Sequence, residues 1–245
     1  MTFKDLHRPG EPLLLPNAWD HASAAMMAAA GFAAIGTTSL GVAAALGAPD
    51  GEGAARDENV ALARRIVHLD AFVTADLEDG FSDDPGAVAE LAAELAEAGV
   101  AGINLEDRLG PPQEHAAKVA AVKARAPELF VNARTDTHWL GREQETTAAR
   151  LKAYAAAGAD GVFAPGLTDE AAIAALADAV EAPLNVLFSH TLPRLAELGV
   201  ARVSTGSALY RVALGAALDA AGALRAGGTL PPAPGYRDVE ALSRS

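Results

Sequence analysis

The stretch Phe72-Val73-Thr74-Ala75-Asp76-Leu77-Glu78-Asp79-Gly80-Phe81, FVTADLEDGF, starts as an apolar strand and meets three carboxylates within four residues. Packing has no use for that charge, and in water the acids repel one another. We read it as a buried strand whose C-terminal tip carries chemistry, its acids helping to hold a divalent cation. The same pattern recurs along the chain. Short apolar runs alternate with longer Ala/Leu/charged runs at helical spacing. Strands are expected at Leu13–Pro16, Phe32–Thr38, Ala71–Asp76, Ala101–Glu106, Leu129–Arg134, Gly161–Ala164, Pro183–Phe188 and Ala201–Ser204. Helices are expected near Ala22–Ala30, Asp57–His68, Asp84–Ala98, Gln113–Ala126, Arg142–Ala157, Asp169–Ala177, Thr191–Leu198 and Ser207–Ala223. Eight strand–helix pairs in strict alternation predict an α/β protein, a single (β/α)8 TIM-type barrel spanning residues 1–245. An open doubly wound sheet fits less well, because no G-x-G-x-x-G follows the first strand. The Pro/Gly-rich segment from about Gly227 onward is expected to be irregular.

In such a barrel, chemistry sits at the C-terminal strand ends, and the polar residues gather there. Strand two ends in Thr37-Thr38-Ser39, strand three in Asp76-Leu77-Glu78-Asp79 and strand four in Asn104-Leu105-Glu106-Asp107. Strand five ends in Asn132-Ala133-Arg134-Thr135-Asp136, strand seven carries Asn185 and ends in Ser189-His190, and strand eight ends in Ser204-Thr205. Period two puts Asp76 and Glu78 on one face if the strand continues that far, and likewise Asn104 and Glu106. Strands about 4.8 Å apart let Asp76, Glu78 and Glu106 converge. Three converging carboxylates force protonation unless a cation intervenes. An all-oxygen set favours Mg²⁺, or Mn²⁺, over Zn²⁺.

Arg134 closes an apolar strand and needs an anionic partner: a substrate carboxylate or phosphonate gripped bidentately, or an internal Asp136 or Glu106. His190, on the catalytic face, is a candidate proton donor, and His138 a candidate pocket residue. His7, His68 and His115 are expected at the surface, and His21 as structural.

Composition narrows the classes. Lys and Arg number 19 against 32 Asp and Glu, a formal charge of −13. So acidic a chain repels nucleic acid and anionic membranes. The absence of cysteine rules out disulfides, Cys-ligated metals and thiol catalysis. With no signal-like N-terminus and no run of about 18–20 apolar residues, a soluble cytoplasmic protein is the expectation.

The chain resembles the isocitrate lyase/phosphoenolpyruvate mutase superfamily from about Leu14 to Tyr210. The resemblance rests on PNAWDHASA (16–24), GTTSLGVAAALGAPD (36–50), TADLEDGF (74–81), INLEDR (103–108), VNARTD (131–136) and GADGVFAPG (158–166). It implies the barrel, with the last helix often exchanged between subunits of a homodimer or homotetramer. It also implies Mg²⁺ and a small anionic 2-oxo acid whose C–C or C–P bond reacts through a pyruvate-enolate-like intermediate. Asp76 matches the first acid of the D-x-D-x-G motif, Glu78 replaces its second Asp, and Glu106 matches the acid of the E-D motif. Arg134 matches the Arg of A-R-T-D, and Thr38 and Ser39 the substrate-carboxylate loop. Asp50 lies where an Asp meets the reacting end of the substrate, and Asn185 where an Asn approaches it. The K-[KR]-C-G-H lyase motif is absent. Only Asp107-Arg108-Leu109-Gly110-Pro111-Pro112 follows Glu106 before a helix, so a long gating loop is not expected there. These features predict an Mg²⁺-dependent lyase or phosphonomutase-like enzyme. The alternatives are a non-catalytic 2-oxo-acid-binding barrel and an Mg²⁺ aldolase.

Overall fold

The computed structural model describes residues 1–242. It contains β1 (Leu13–Leu15), β2 (Asn17–Ala18), β3 (Ala34–Thr37), β4 (Phe72–Asp76), β5 (Gly102–Glu106), β6 (Phe130–Arg134), β7 (Gly161–Phe163), β8 (Leu184–Leu187) and β9 (Arg202–Ser204). All pair in parallel, in the order β1-β9-β8-β7-β6-β5-β4-β3-β2. Nine segments make an eight-stranded barrel because Pro16, which has no N–H to donate, splits the first strand. Its first half pairs with β9 and its second with β3. Asn17 locks the seam: its Oδ1 accepts from Thr205 N at 3.0 Å and Gly206 N at 2.9 Å, while its Nδ2 donates to Thr37 O at 2.8 Å.

The helices are α1 (His21–Ala29), α2 (Ser39–Leu46), α3 (Arg56–Ile66), α4 (Pro85–Glu97), α5 (Pro112–Arg125), α6 (Thr147–Ala156), α7 (Glu170–Ala179), α8 (Leu192–Glu197), α9 (Ala208–Arg225) and α10 (Tyr236–Ala241). Local chemistry sets many of their ends. Asp20 and Ser23 form a reciprocal capping box on α1. Asp84 caps α4 through Gly86 N at 3.0 Å, with Pro85 in the first turn. Asp169 caps α7 through Ala172 N at 2.8 Å. Gly99 follows α4 at φ +104°, a conformation other residues rarely adopt.

Two elements depart from expectation. The segment Ser39–Leu46 is a helix, although its SLGVAAAL sequence is apolar all round and shows no amphipathic stripe. The tail expected to be irregular contains α10, and Leu242 O accepts from His21 Nε2 at 2.8 Å.

The main core lies between the barrel and the α3–α8 layer. Leu95, Leu151, Ile173 and Leu195 are each fully buried there. A separate plug closes the N-terminal end of the barrel. Phe3, Leu15, Ala34 and Phe130 cluster there, and His7 stacks on Phe130 at 4.2 Å and donates from Nδ1 to Phe3 O at 3.0 Å.

His7 and His115, expected at the surface, are thus buried (6% and 4% exposed). His7 gains ring contacts with Phe3 and Phe130, and His115 packs edge-on against Tyr154 at 4.4 Å. Burial is the main cause that brings His7 down to about 3 and His115 to about 4, from 6.5. The unfolded chain takes up these protons below its pKa of about 6.5, and the folded chain refuses them until lower pH. The stability these two histidines contribute is therefore full above pH 6.5 and is lost on acidification. The expected loss is about 3 kcal/mol per histidine by pH 4. Urea midpoints at pH 7 and pH 4.5 check this. His115→Phe should make the midpoint less dependent on pH than in the unaltered protein, and an identical pH dependence of the two would contradict it.

α9 buries Tyr210 and leaves Val212, Leu214, Leu218 and Leu224 more than half exposed. No helix among the described residues is long and apolar enough to cross a membrane.

Candidate functional site

The C-terminal mouth of the barrel encloses a cavity of about 450 Å³. Seven of the residues expected at the site line it: Thr38, Ser39, Asp50, Asp76, Glu78, Glu106 and Arg134.

Asp76 ends β4. Its backbone is held on both sides: its N–H donates to Thr37 Oγ1 at 2.9 Å, and its carbonyl accepts from Asn59 Nδ2 at 3.0 Å. Its Oδ2 accepts from Ser39 N, the first N–H of α2, at 3.2 Å. Glu78 reaches the cavity by a different route from the one expected. The strand stops at Asp76, and Glu78 sits in the left-handed region at φ +50°. That turn, rather than strand alternation, aims its side chain, and Oε2 accepts from Gly53 N at 3.0 Å. Gly80 completes the turn at φ +92°, and a Cβ there would lie 2.7 Å from Val88.

Arg134 takes the internal partners. Its Nη1 lies 2.9 Å from Glu106 Oε2 and its Nε donates to Asp136 Oδ1 at 2.6 Å. Its guanidinium also lies 5.9 Å from the Trp139 and Phe163 ring centroids. Two of its three guanidinium nitrogens thus face protein carboxylates, and Nη2 does not.

Two expected residues lie elsewhere. Asn185 is buried below the floor, where Oδ1 accepts from Ser204 Oγ at 3.2 Å. His190 does not line the cavity: its Nε2 bonds Thr168 O at 2.7 Å and its Nδ1 lies 3.9 Å from Glu170. The βα loop after β8 turns it outward. His138 is half-buried and does not line the cavity, although its neighbours Trp139 and Leu140 do.

The structure adds Asn17, Asn104, Asp136, Ser204 and Arg211 to the lining. Alternation alone could have found Asn104, because it shares a face with Glu106.

The acids crowd one another. Burial, opposed by Arg134 and aided by Asp136, Asp76 and Glu78, pushes Glu106 up to about 8. Burial also raises Glu78, against the Gly53 N–H and with help from Asp76 and Asp50. Asp50 is raised by burial, against the Ser39 hydroxyl and with help from Asp76. Asp50, Asp76 and Glu78 each accept hydrogen bonds from neutral groups, and none has a cation within ion-pair distance among the described residues. No three acids or histidines among the described residues are grouped closely enough to enclose a metal by themselves. Mg²⁺ does not require that, since it keeps several waters and takes one or two carboxylates. The donor set therefore fits a hard, partly hydrated divalent cation.

Below the rim, Asp107 anchors the loops that carry these groups. Its Oδ2 accepts from Thr135 Oγ1 at 2.7 Å, Tyr154 OH at 2.7 Å and Arg150 Nη1 at 3.1 Å. Its Oδ1 accepts from Leu109 N at 3.0 Å and Asp136 N at 3.1 Å. Residues 107–111 fold tightly back on this carboxylate, so the connection after β5 carries no long gating loop.

The molecule is thus a parallel α/β barrel whose C-terminal mouth gathers carboxylates around an arginine. The phosphoenolpyruvate phosphomutase family model matches residues 3–225, and the chain belongs to that family, within the isocitrate lyase/phosphoenolpyruvate mutase superfamily. It is 47% identical over 249 residues to the uncharacterised protein Rv1998c of Mycobacterium tuberculosis, covering 98% of this chain and 95% of that one. It is 36% identical over 195 residues to an oxaloacetate decarboxylase of Ectopseudomonas mendocina, covering 71% and 66%. A Burkholderia cenocepacia J2315 structure, provisionally described as a lyase/mutase, matches with TM-score 0.90 and 40% identity over 100% and 95% of the two chains. A phosphonopyruvate hydrolase solved with oxalate and Mg²⁺ shares the fold at TM-score 0.86 and 23% identity over 100% and 95%.

Proposed function

We propose that this protein is an Mg²⁺-dependent enzyme that makes or breaks a C–C or C–P bond beside the carbonyl of a small 2-oxo acid. The observation that carries the reading is the convergence of Asp50, Asp76 and Glu78 on one cavity without a contacting cation. Asp76, with Glu78 and Glu106, would hold the metal, directly or through its waters. When bound, the metal supplies Lewis-acid stabilisation of charge developing on the 2-oxo oxygen.

The chain's own residues do the rest. The N-terminus of α2 presents Leu40 N, which the helix itself leaves unpaired, to a substrate carboxylate, with Thr38 and Ser39 beside it. Arg134 holds Glu106 and Asp136 in place and contributes positive charge where an oxyanion develops. Asp50, whose carboxyl burial biases toward its protonated form, is the group placed to hand a proton to the reacting carbon. Trp139, Leu140 and Phe163 give the cavity an apolar wall that limits water. The exposed apolar face of α9 supports assembly into a homodimer or homotetramer.

The test is turnover with Mg²⁺ across oxaloacetate, phosphonopyruvate and 2-methylisocitrate. We expect one of them to be consumed, and chelation to abolish the activity. The short 107–111 connection favours one other reading, a barrel that binds a 2-oxo acid without converting it. Ligand-induced thermal stabilisation with no product from any substrate would select that second reading.

A further inference from the structure

Arg202 lies entirely inside the barrel, fully buried, with no carboxylate in ion-pair contact among the described residues. A buried charge without a paired opposite is costly, so its hydrogen bonds bear close reading. Its Nε donates to Ser204 Oγ at 3.0 Å and its Nη2 to Asn104 Oδ1 at 3.2 Å, while Nη1 has no partner. Asn132 Nδ2 donates to the same Asn104 Oδ1 at 2.8 Å.

A guanidinium can only donate. The atom of Asn104 that faces Arg202 must therefore be oxygen, and the cation sets which way the amide points. Oxygen is held down by two donors, so Nδ2 is the amide atom left for the cavity, where it donates to no protein group among the described residues. Asn104 stands directly beside Asp76 in the β4–β5 register and two residues before Glu106.

We infer that Asn104 Nδ2 is a substrate-facing donor that binds an oxygen of the 2-oxo acid, and that Arg202 is the positioning residue that orients it. The inference rests on the reading that this cavity takes a 2-oxo acid. It assigns to Asn104 the amide role expected of Asn185, whose side chain is sealed below Ser204. A neutral donor among acids has a specific use: it donates to the substrate's negative oxygen without adding charge that would compete with the metal for the carboxylates.

The test is calorimetric titration of oxalate into the intact chain at saturating Mg²⁺, with Mg²⁺ affinity measured separately. Oxalate is planar and carries two carboxylates, like the enolate form of a 2-oxo acid. Asn104→Asp keeps an oxygen for Arg202 and Asn132 and gives Arg202 the carboxylate it lacks, so the fold should be retained. Its cavity-facing atom becomes an acceptor, and oxalate should bind about 10- to 100-fold more weakly. Arg202→Met releases the amide and should also weaken oxalate, while loss of a positive charge that competes for Asp76 leaves Mg²⁺ affinity unchanged or higher, a split that general loosening of the barrel would not produce. If Asn104→Asp does not fold, Asn104→Ala must show the same oxalate loss. Oxalate affinity equal to that of the unaltered protein in a folded Asn104 variant overturns the inference alone. An unaltered protein that binds no oxalate overturns the functional reading, and the inference with it.

Discussion

Asp107→Ala is expected to lower the unfolding free energy by about 3–5 kcal/mol, a large effect for one surface-adjacent loop residue. The Asp107 carboxylate is fully buried and accepts five hydrogen bonds, from Thr135, Tyr154, Arg150 and the backbone of Leu109 and Asp136. Burial alone would raise its pKa, but those donors outweigh burial and hold it below the usual carboxylate range. Removing the carboxylate strands the Arg150 charge beside a hydroxyl and a phenol with nothing to accept from them. Glu143, 2.8 Å from Arg150 Nη2, softens the loss but lies on the solvent side. The same change untethers the Thr135-Asp136 segment and so disturbs the Asp136–Arg134–Glu106 chain in the cavity. Urea denaturation of the two proteins measures it. A loss under about 1 kcal/mol would mean that water replaces the carboxylate and that the network does not hold the loops.

Asp76→Asn should have the largest effect on chemistry. The substitution preserves shape, and its amide oxygen still accepts from Ser39 N. It removes one negative charge from the carboxylates proposed to hold the metal. Losing about 4 kcal/mol of cation-derived stabilisation corresponds to roughly a thousandfold in turnover of whichever 2-oxo acid proves productive. Stability should change by no more than about 1 kcal/mol, because relief of repulsion with Asp50 and Glu78 opposes lost attraction to Arg134 and Arg202. Steady-state kinetics with a thermal melt reads both. Full activity in this variant would remove Asp76 from the metal site.

The barrel was legible because eight strand–helix pairs alternate strictly along the chain, and the candidate site because polar residues collect at the C-terminal strand tips. Asp76, Glu106 and Arg134 followed from strand placement alone. Glu78 reached the predicted place for another reason: a left-handed turn, which side-chain periodicity cannot reveal, replaced the expected strand. α2 escaped notice because SLGVAAAL is uniformly apolar and has no helical stripe to read. His7 and His115 look like surface residues in sequence, and only the aromatic plug and the Tyr154 packing show why they are inside. His190 sits at a strand tip in sequence, yet the loop after β8 directs it to Thr168 O, because a strand-end position fixes a neighbourhood and not a side-chain direction. Asn104, Asn132 and Asn185 stand out in the sequence as polar strand residues, but their bonding across the barrel interior, and the place of Arg202 within it, became visible only once the side chains could be seen.

The most direct measurement is a Mn²⁺ titration of the intact chain by electron paramagnetic resonance, with and without oxalate. The account predicts one bound ion per chain, held more tightly when oxalate is present and lost in Asp76→Asn. A chain that binds no Mn²⁺ under either condition would contradict it.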